Sequence, residues 1–147
     1  MRSLWEPAWL AETRARLGRL APGTAPRWGT FTAPAVVCHL ADQLRVALGD
    51  LPAVRMRSPL RYQPVKWLAL YVLPIPRGLR APPEFLSSTP TTWDVDRASL
   101  DELLERCVER GADEGWAMAP ALGSLSKRQW GIFSYKHFAY HLRQFGV

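Results

Sequence analysis

Four stretches of this chain repeat apolar residues at helical spacing, and none alternates apolar with polar residues over a useful length. That pattern excludes a sheet-based fold and leaves helices that must bury their stripes against one another. The clearest stretch is 33–48. Val36, Val37, Leu40, Leu44, Ala47 and Leu48 recur at helical intervals, Thr30 or Thr32 can cap the start, Pro34 suits a first turn, and Gly49 stops the helix ahead of Asp50 and Pro52. Residues 3–20 read as an earlier helix capped by Ser3, with Pro7 in its first turn and Leu4, Trp9, Ala11, Leu17 and Leu20 as its stripe. Residues 97–110 read as another, with Asp96 as cap, Asp101 and Glu102 near the start, and Leu100, Leu103, Leu104, Cys107 and Val108 facing inward. Ser126 caps a last helix of about 20 residues that runs nearly to Gly146.

The stretch 50–95 is different. Eight of the 13 prolines lie between Pro52 and Pro90. Tyr62–Leu73 can form one short helix, ended by Pro74 and Pro76, and the rest reads as extended loop. So long a connection usually has a function or covers something. With 147 residues and 48% hydrophobic composition, the chain can bury one core. The expectation is a single all-α domain over 1–147: a four-helix bundle with a long Pro-rich connection and a short extra helix.

Composition narrows the function classes. Two cysteines, Cys38 and Cys107, exclude a four-Cys zinc site and argue against a disulfide framework. No secretory signal is visible, and the longest apolar run, Trp67–Leu73, falls far short of the roughly 20 residues that span a bilayer. The expectation is a cytoplasmic protein with reduced thiols and no membrane partner. The net charge of +6 is uneven: residues 1–82 carry +8, 83–115 carry −6 and 116–147 carry +4. Alternating signs read as segments that neutralise each other within one fold. Residues 55–80 hold Arg55, Arg57, Arg61, Lys66, Arg77 and Arg80 with no acid, among Tyr62, Trp67 and Tyr71. That suits a nucleic acid or a membrane surface, and equally a lid that brings arginine to an anionic thiol or carboxylate. The simplest reading is a cover for the bundle or the contact of a homodimer. No motif supports direct nucleic-acid binding.

The three histidines bear the chemistry. His137 and His141 share the last helix, about 40° apart around its axis and about 6 Å apart along it. Both imidazoles can therefore reach one metal ion. No Glu follows His137, so the zinc-protease motif is absent. His39 sits mid-helix on a mostly apolar face and needs a partner if buried. If its helix lies beside the last one, a metal held with His137 and His141 supplies that partner. A hydrogen-bonded core histidine is the alternative at each position.

The segments Trp28-Gly29, Cys38-His39-Leu40-Ala41-Asp42 and Gly49 resemble the first half of DinB-like (YfiT-type) proteins. Leu73-Pro74-Ile75-Pro76-Arg77-Gly78, Leu122–Ser126, Trp130-Gly131, Lys136-His137 and His141–Gly146 resemble an uncharacterised bacterial branch of that superfamily. The resemblance covers most of 27–147 and is most specific at the C-terminal end. It implies a four-helix bundle in which His39, His137 and His141 bind a divalent metal, zinc or nickel. It also implies a small-molecule substrate and thiol-dependent S-transfer or isomerisation, although many members have no known activity. The family's name comes from DNA-damage induction. The branch often carries His at the positions of Tyr140 and Ala119, so candidates for proton transfer are missing here.

With every histidine a candidate ligand, proton transfer would fall to water on the metal, a carboxylate such as Asp42, or a tyrosine. Tyr140 lies about 60° from His137 around the helix and Tyr135 about 200°, so Tyr140 is the better placed. Asp42 and Gln43, at three and four residues beyond His39, and Gln144, three beyond His141, can fix a ligand tautomer. Asp42 can equally be a solvated helix residue. Arg143 and Gln144 are candidates for holding a low-molecular-weight thiol or another anionic substrate. Cys38 and Cys107 read as buried apolar residues, and Trp130, Phe133 and Phe138 as core.

Overall fold

A computed structural model describes all residues from Met1 to Val147. It contains five α-helices: α1 (Pro7–Arg19), α2 (Ala33–Leu48), α3 (Val65–Tyr71), α4 (Trp93–Glu109) and α5 (Lys127–Gln144). Short 3-10 turns lie at Pro59–Arg61 and Pro83–Leu86. There is no strand, only an isolated bridge in which Ala119 and Gly123 exchange backbone hydrogen bonds at 2.9 Å. No helix is long and apolar enough to cross a membrane.

α2 organises the fold. Thr32 Oγ1 accepts the Ala35 N–H, and Gly49 ends the helix in the left-handed region at φ +84°. Thirteen of its 16 residues are buried, His39, Asp42 and Gln43 among them, so it is enclosed nearly all round and belongs at the centre. It packs against α4, α5 and the Pro83–Leu86 turn, while α1 and α3 pack on α5. Leu40, Leu44, Leu100, Leu104, Trp130 and Phe138 fill the space between these elements. Cys38 and Cys107 are buried free thiols, and burial pushes them up to about 11 and about 12.

Three helix starts or lengths differ from the sequence reading. α1 begins at Pro7, not after Ser3, with Glu6 at its cap. Residues 3–5 instead lie against α5: the Leu4 N–H donates to Gly131 O at 2.9 Å and Trp5 Nε1–H to Lys127 O at 2.9 Å. Ser3 Oγ accepts the Trp5 N–H rather than capping a helix. Docking on α5 wins there over local helical preference. α4 begins three residues before the expected cap: Thr92 is at the cap, and Asp96, inside the helix, reaches back to accept from Thr91 N–H and Oγ1–H. α3 covers only Val65–Tyr71 of the expected Tyr62–Leu73. Lys136 of α5 meets its end, donating to the carbonyls of Ala69, Leu70 and Leu73.

The Pro-rich connection is pinned to the loop between α4 and α5 and to its own Pro83–Leu86 turn. Met56 N–H and Arg61 Nη1 both donate to Pro120 O, Lys66 Nζ donates to Ser124 O, and Val54 N–H donates to Glu84 Oε1. Arg61 and Lys66, two of the six cations between 55 and 80, are thereby engaged inside the chain.

Candidate metal centre

α2 supplies His39 from its buried middle, and α5 supplies His137 and His141 one turn apart. One ligand nitrogen from each lies within 4.8 Å of the others. The imidazole centroids form a nearly equilateral triangle, 4.7 Å from His39 to His137 and 4.8 Å for the other two pairs. The rings stand at 76–80° to one another, so edges rather than faces converge. All three are buried, at 3%, 7% and 5% exposure.

The outer nitrogens decide which lone pairs face inward. His39 Nδ1 lies 2.8 Å from the carbonyl oxygen of Phe85, which can only accept, so Nδ1 carries the proton. His141 Nδ1 lies 2.8 Å from Gln144 Oε1. The orientation of that amide is set from its other side, because Gln144 Nε2 donates to Trp28 O at 2.7 Å. His141 therefore also holds its proton on Nδ1. Both Nε2 atoms are left as lone-pair donors toward the centre of the triangle. His137 Nε2 sits 2.9 Å from His39 Nε2. Without a cation, that contact is satisfied only when His137 keeps its proton on Nε2 and donates it to His39. Moving the proton to Nδ1, where Gln43 Oε1 waits at 3.5 Å, opens the third lone pair.

Burial favours the neutral forms. Desolvation is the largest cause at each histidine. It holds His39 below its ordinary value against the opposing pull of the Phe85 carbonyl and Asp42. His137 is driven well below, with His39 and His141 adding repulsion. His141 falls to about 4, with His39 lowering it further and Gln144 opposing. Three neutral imidazoles, at least two with a proton fixed outward, could hold a metal ion. The residues present fit such a metal.

Apolar rings enclose the cluster. Phe133 stacks on His137 with its centroid 5.7 Å away and the rings 4° from parallel. Phe31 lies 5.0 Å from His39 and 5.5 Å from His141, and Phe85 lies 6.0 Å from His39 and from His137. Excluding water in this way strengthens any charge interaction inside.

The remaining candidates fall in different places. Asp42 does not meet an imidazole and is not solvated. It is fully buried, one oxygen facing Arg45 Nη1 at 2.8 Å and both receiving hydrogen bonds from Ser88. It reaches His39 only through space. Tyr140 is half-buried with its ring edge-on to His141, 5.0 Å between centroids. Tyr135 points to the opposite side, where its hydroxyl accepts from Arg2 Nη1. Gln144 is a buried partner of His141, whereas Arg143 is exposed. Trp130 and Phe138 are core, while Phe133 walls the site. The Phe85 carbonyl and the Phe31 ring were not anticipated. A backbone carbonyl leaves no mark in sequence, and Phe85 lies 46 positions from His39. Compared with family models, with curated proteins and with solved structures, the chain matches none.

Proposed function

We propose that this protein is a divalent-metal-dependent enzyme of the DinB-like type, a four-helix bundle holding zinc or nickel on His39, His137 and His141. The reaction is thiol-dependent S-transfer or a hydrolysis. The observation that carries the reading is the convergence of one ligand nitrogen from each histidine, with the Nδ1 atoms of His39 and His141 engaged outward by Phe85 O and Gln144 Oε1. A metal bound there would supply Lewis acidity, activating a thiol as thiolate or a water as hydroxide. The chain's own part is to hold the imidazoles neutral and oriented and to exclude water with Phe31, Phe85 and Phe133. Tyr140, whose ring lies beside that of His141, would be the candidate to take or give a proton near the site. Asp42, committed to Arg45 and Ser88, is not.

Metal analysis of untagged protein tests this. About one zinc or nickel per chain is expected after reconstitution, and less than about 0.1, or equal loading of a His39→Ala variant, overturns it. A screen of low-molecular-weight thiols with electrophilic substrates, beside ester and amide hydrolysis, then assigns the reaction. A second reading, a metal-binding bundle without turnover, is favoured by the depth of the histidines beneath the three phenylalanines. Stoichiometric metal with no activity across the screen would establish that reading instead.

A further inference from the structure

Three arginines line one cleft of the molecule with no acidic side chain among them. A cleft of about 430 Å³ lies where the Arg27–Gly29 turn, the loop around Ile75–Arg77 and the end of α5 meet. Arg27, Arg77 and Arg143 line it with Trp28, Ile75 and Tyr140, and no Asp or Glu does. None of the three guanidiniums belongs to an ion pair; the five pairs of the protein lie elsewhere. Val147 O, at the rim, is already taken by Arg16 at 2.8 Å. Arg77 stacks on the Trp28 ring at 4.0 Å, which holds its charge at a fixed place. The Trp28 indole N–H is buried and has no hydrogen-bond partner. Buried donors of this kind are rare and call for an acceptor.

The same tryptophan touches the metal centre from behind. Its carbonyl receives Gln144 Nε2–H, and Gln144 Oε1 receives His141 Nδ1–H. Its ring meets Tyr140 edge-on at 6.1 Å, and Tyr140 in turn meets His141. The turn cannot draw away from α5 without breaking the bond from Arg27 N–H to Gln144 O at 2.7 Å. At Gly29, with φ +78°, a Cβ would stand 2.6 Å from Gln144 Nε2, so the approach itself depends on glycine.

We infer that this cleft binds an anionic group, a carboxylate or a phosphoryl-type oxyanion of the substrate or its thiol partner, and that binding is coupled to the metal centre through Trp28, Gln144 and His141. Planar guanidiniums pair such oxyanions in bidentate fashion. An anion that steadies the Trp28 turn also steadies the amide that orients His141. Metal and anion then raise each other's affinity by the same factor. The anion site stands on its own residues, whereas the coupling rests on the three-histidine reading.

The test begins with sulfate binding to metal-free protein, followed by calorimetry at constant ionic strength. Saturable binding is expected, weakened about tenfold or more in Arg77→Gln and in Arg143→Gln, two exposed positions whose variants should melt as the parent does. No saturable binding, or equal binding by parent and both variants, overturns the anion site. Succinate in place of sulfate separates the two chemistries: tighter succinate assigns a carboxylate, tighter sulfate a phosphoryl-type group. Nickel is then titrated with and without saturating sulfate. Tightening of about fivefold or more is expected in the parent and not in Gln144→Ala. Equal tightening in Gln144→Ala overturns the relay. Failure of both nickel and zinc to bind overturns the metal centre and the coupling with it, while the sulfate result still decides the anion site.

Discussion

At the scale of single residues, the centre is governed by what lies behind each imidazole. Gln144 is the most informative, because its amide is held from one side by Trp28 O and orients His141 from the other. Replacing it with Ala frees the ring and leaves the Trp28 carbonyl unpaired. Metal affinity should fall about 10- to 100-fold, as when other outer partners of histidine ligands are lost. Competition titration against a chromogenic chelator measures this. A second prediction follows from charge. Protons compete with metal only once an imidazole can accept them, and burial has lowered all three, His141 to about 4. Acid should therefore release the metal only below the ordinary histidine value of about 6.5. A metal-release curve against pH centred at about 6.5 or above would show imidazoles that are neither buried nor coupled.

At the scale of elements, capping and glycine positions define α2 and α5. Ser126 and Gln129 form a reciprocal capping box, and Thr32 and Gly49 bound α2 as their types suggest. These signals are local, which is why both helices were legible from sequence. Gly131 was legible only as a residue, not in its role. Within α5 it leaves room for the N-terminal segment: a Cβ there would stand 2.1 Å from Ser3 Oγ and 2.5 Å from Trp5 Cδ1. On propensity alone Gly131→Ala would stabilise the helix by about 1 kcal/mol. The clash should win, because Leu4 is fully buried and Trp5 nearly so. The variant should lose about 1–3 kcal/mol in denaturant unfolding. The same docking explains why α1 starts at Pro7, since Ser3, Leu4 and Trp5 are bound to α5 before a helix can begin.

At the scale of the molecule, a metal on the three histidines would tie α2 to α5 across 98 positions of chain. A ligand that binds only the folded state stabilises it by mass action, about 2.7 kcal/mol at a hundredfold excess over the dissociation constant. Reconstituted protein should melt several degrees above the metal-free form, and chelator should return it. The His39→Ala variant should show no such rise. Asp42 and Ser88 show the same long-range logic without a metal: a fully buried carboxylate anchors the Pro-rich connection where sequence suggested either an imidazole partner or a solvated side chain. That anchoring also brings Phe85, three residues before Ser88, over the histidines.

The helical class, the bounds of α2 and α5, and the single-face spacing of His137 and His141 can all be read from local pattern. Periodicity, caps and the 3.6-residue turn are properties of neighbours along the chain. Packing between distant segments is what brings His39 to the other two, sets their protons through Phe85 and Gln144, gives Asp42 to the connection instead, and gathers three arginines in one cleft. Each of those is a contact between distant segments, where burial and hydrogen-bond satisfaction outweigh local preference, and no window of sequence contains both partners.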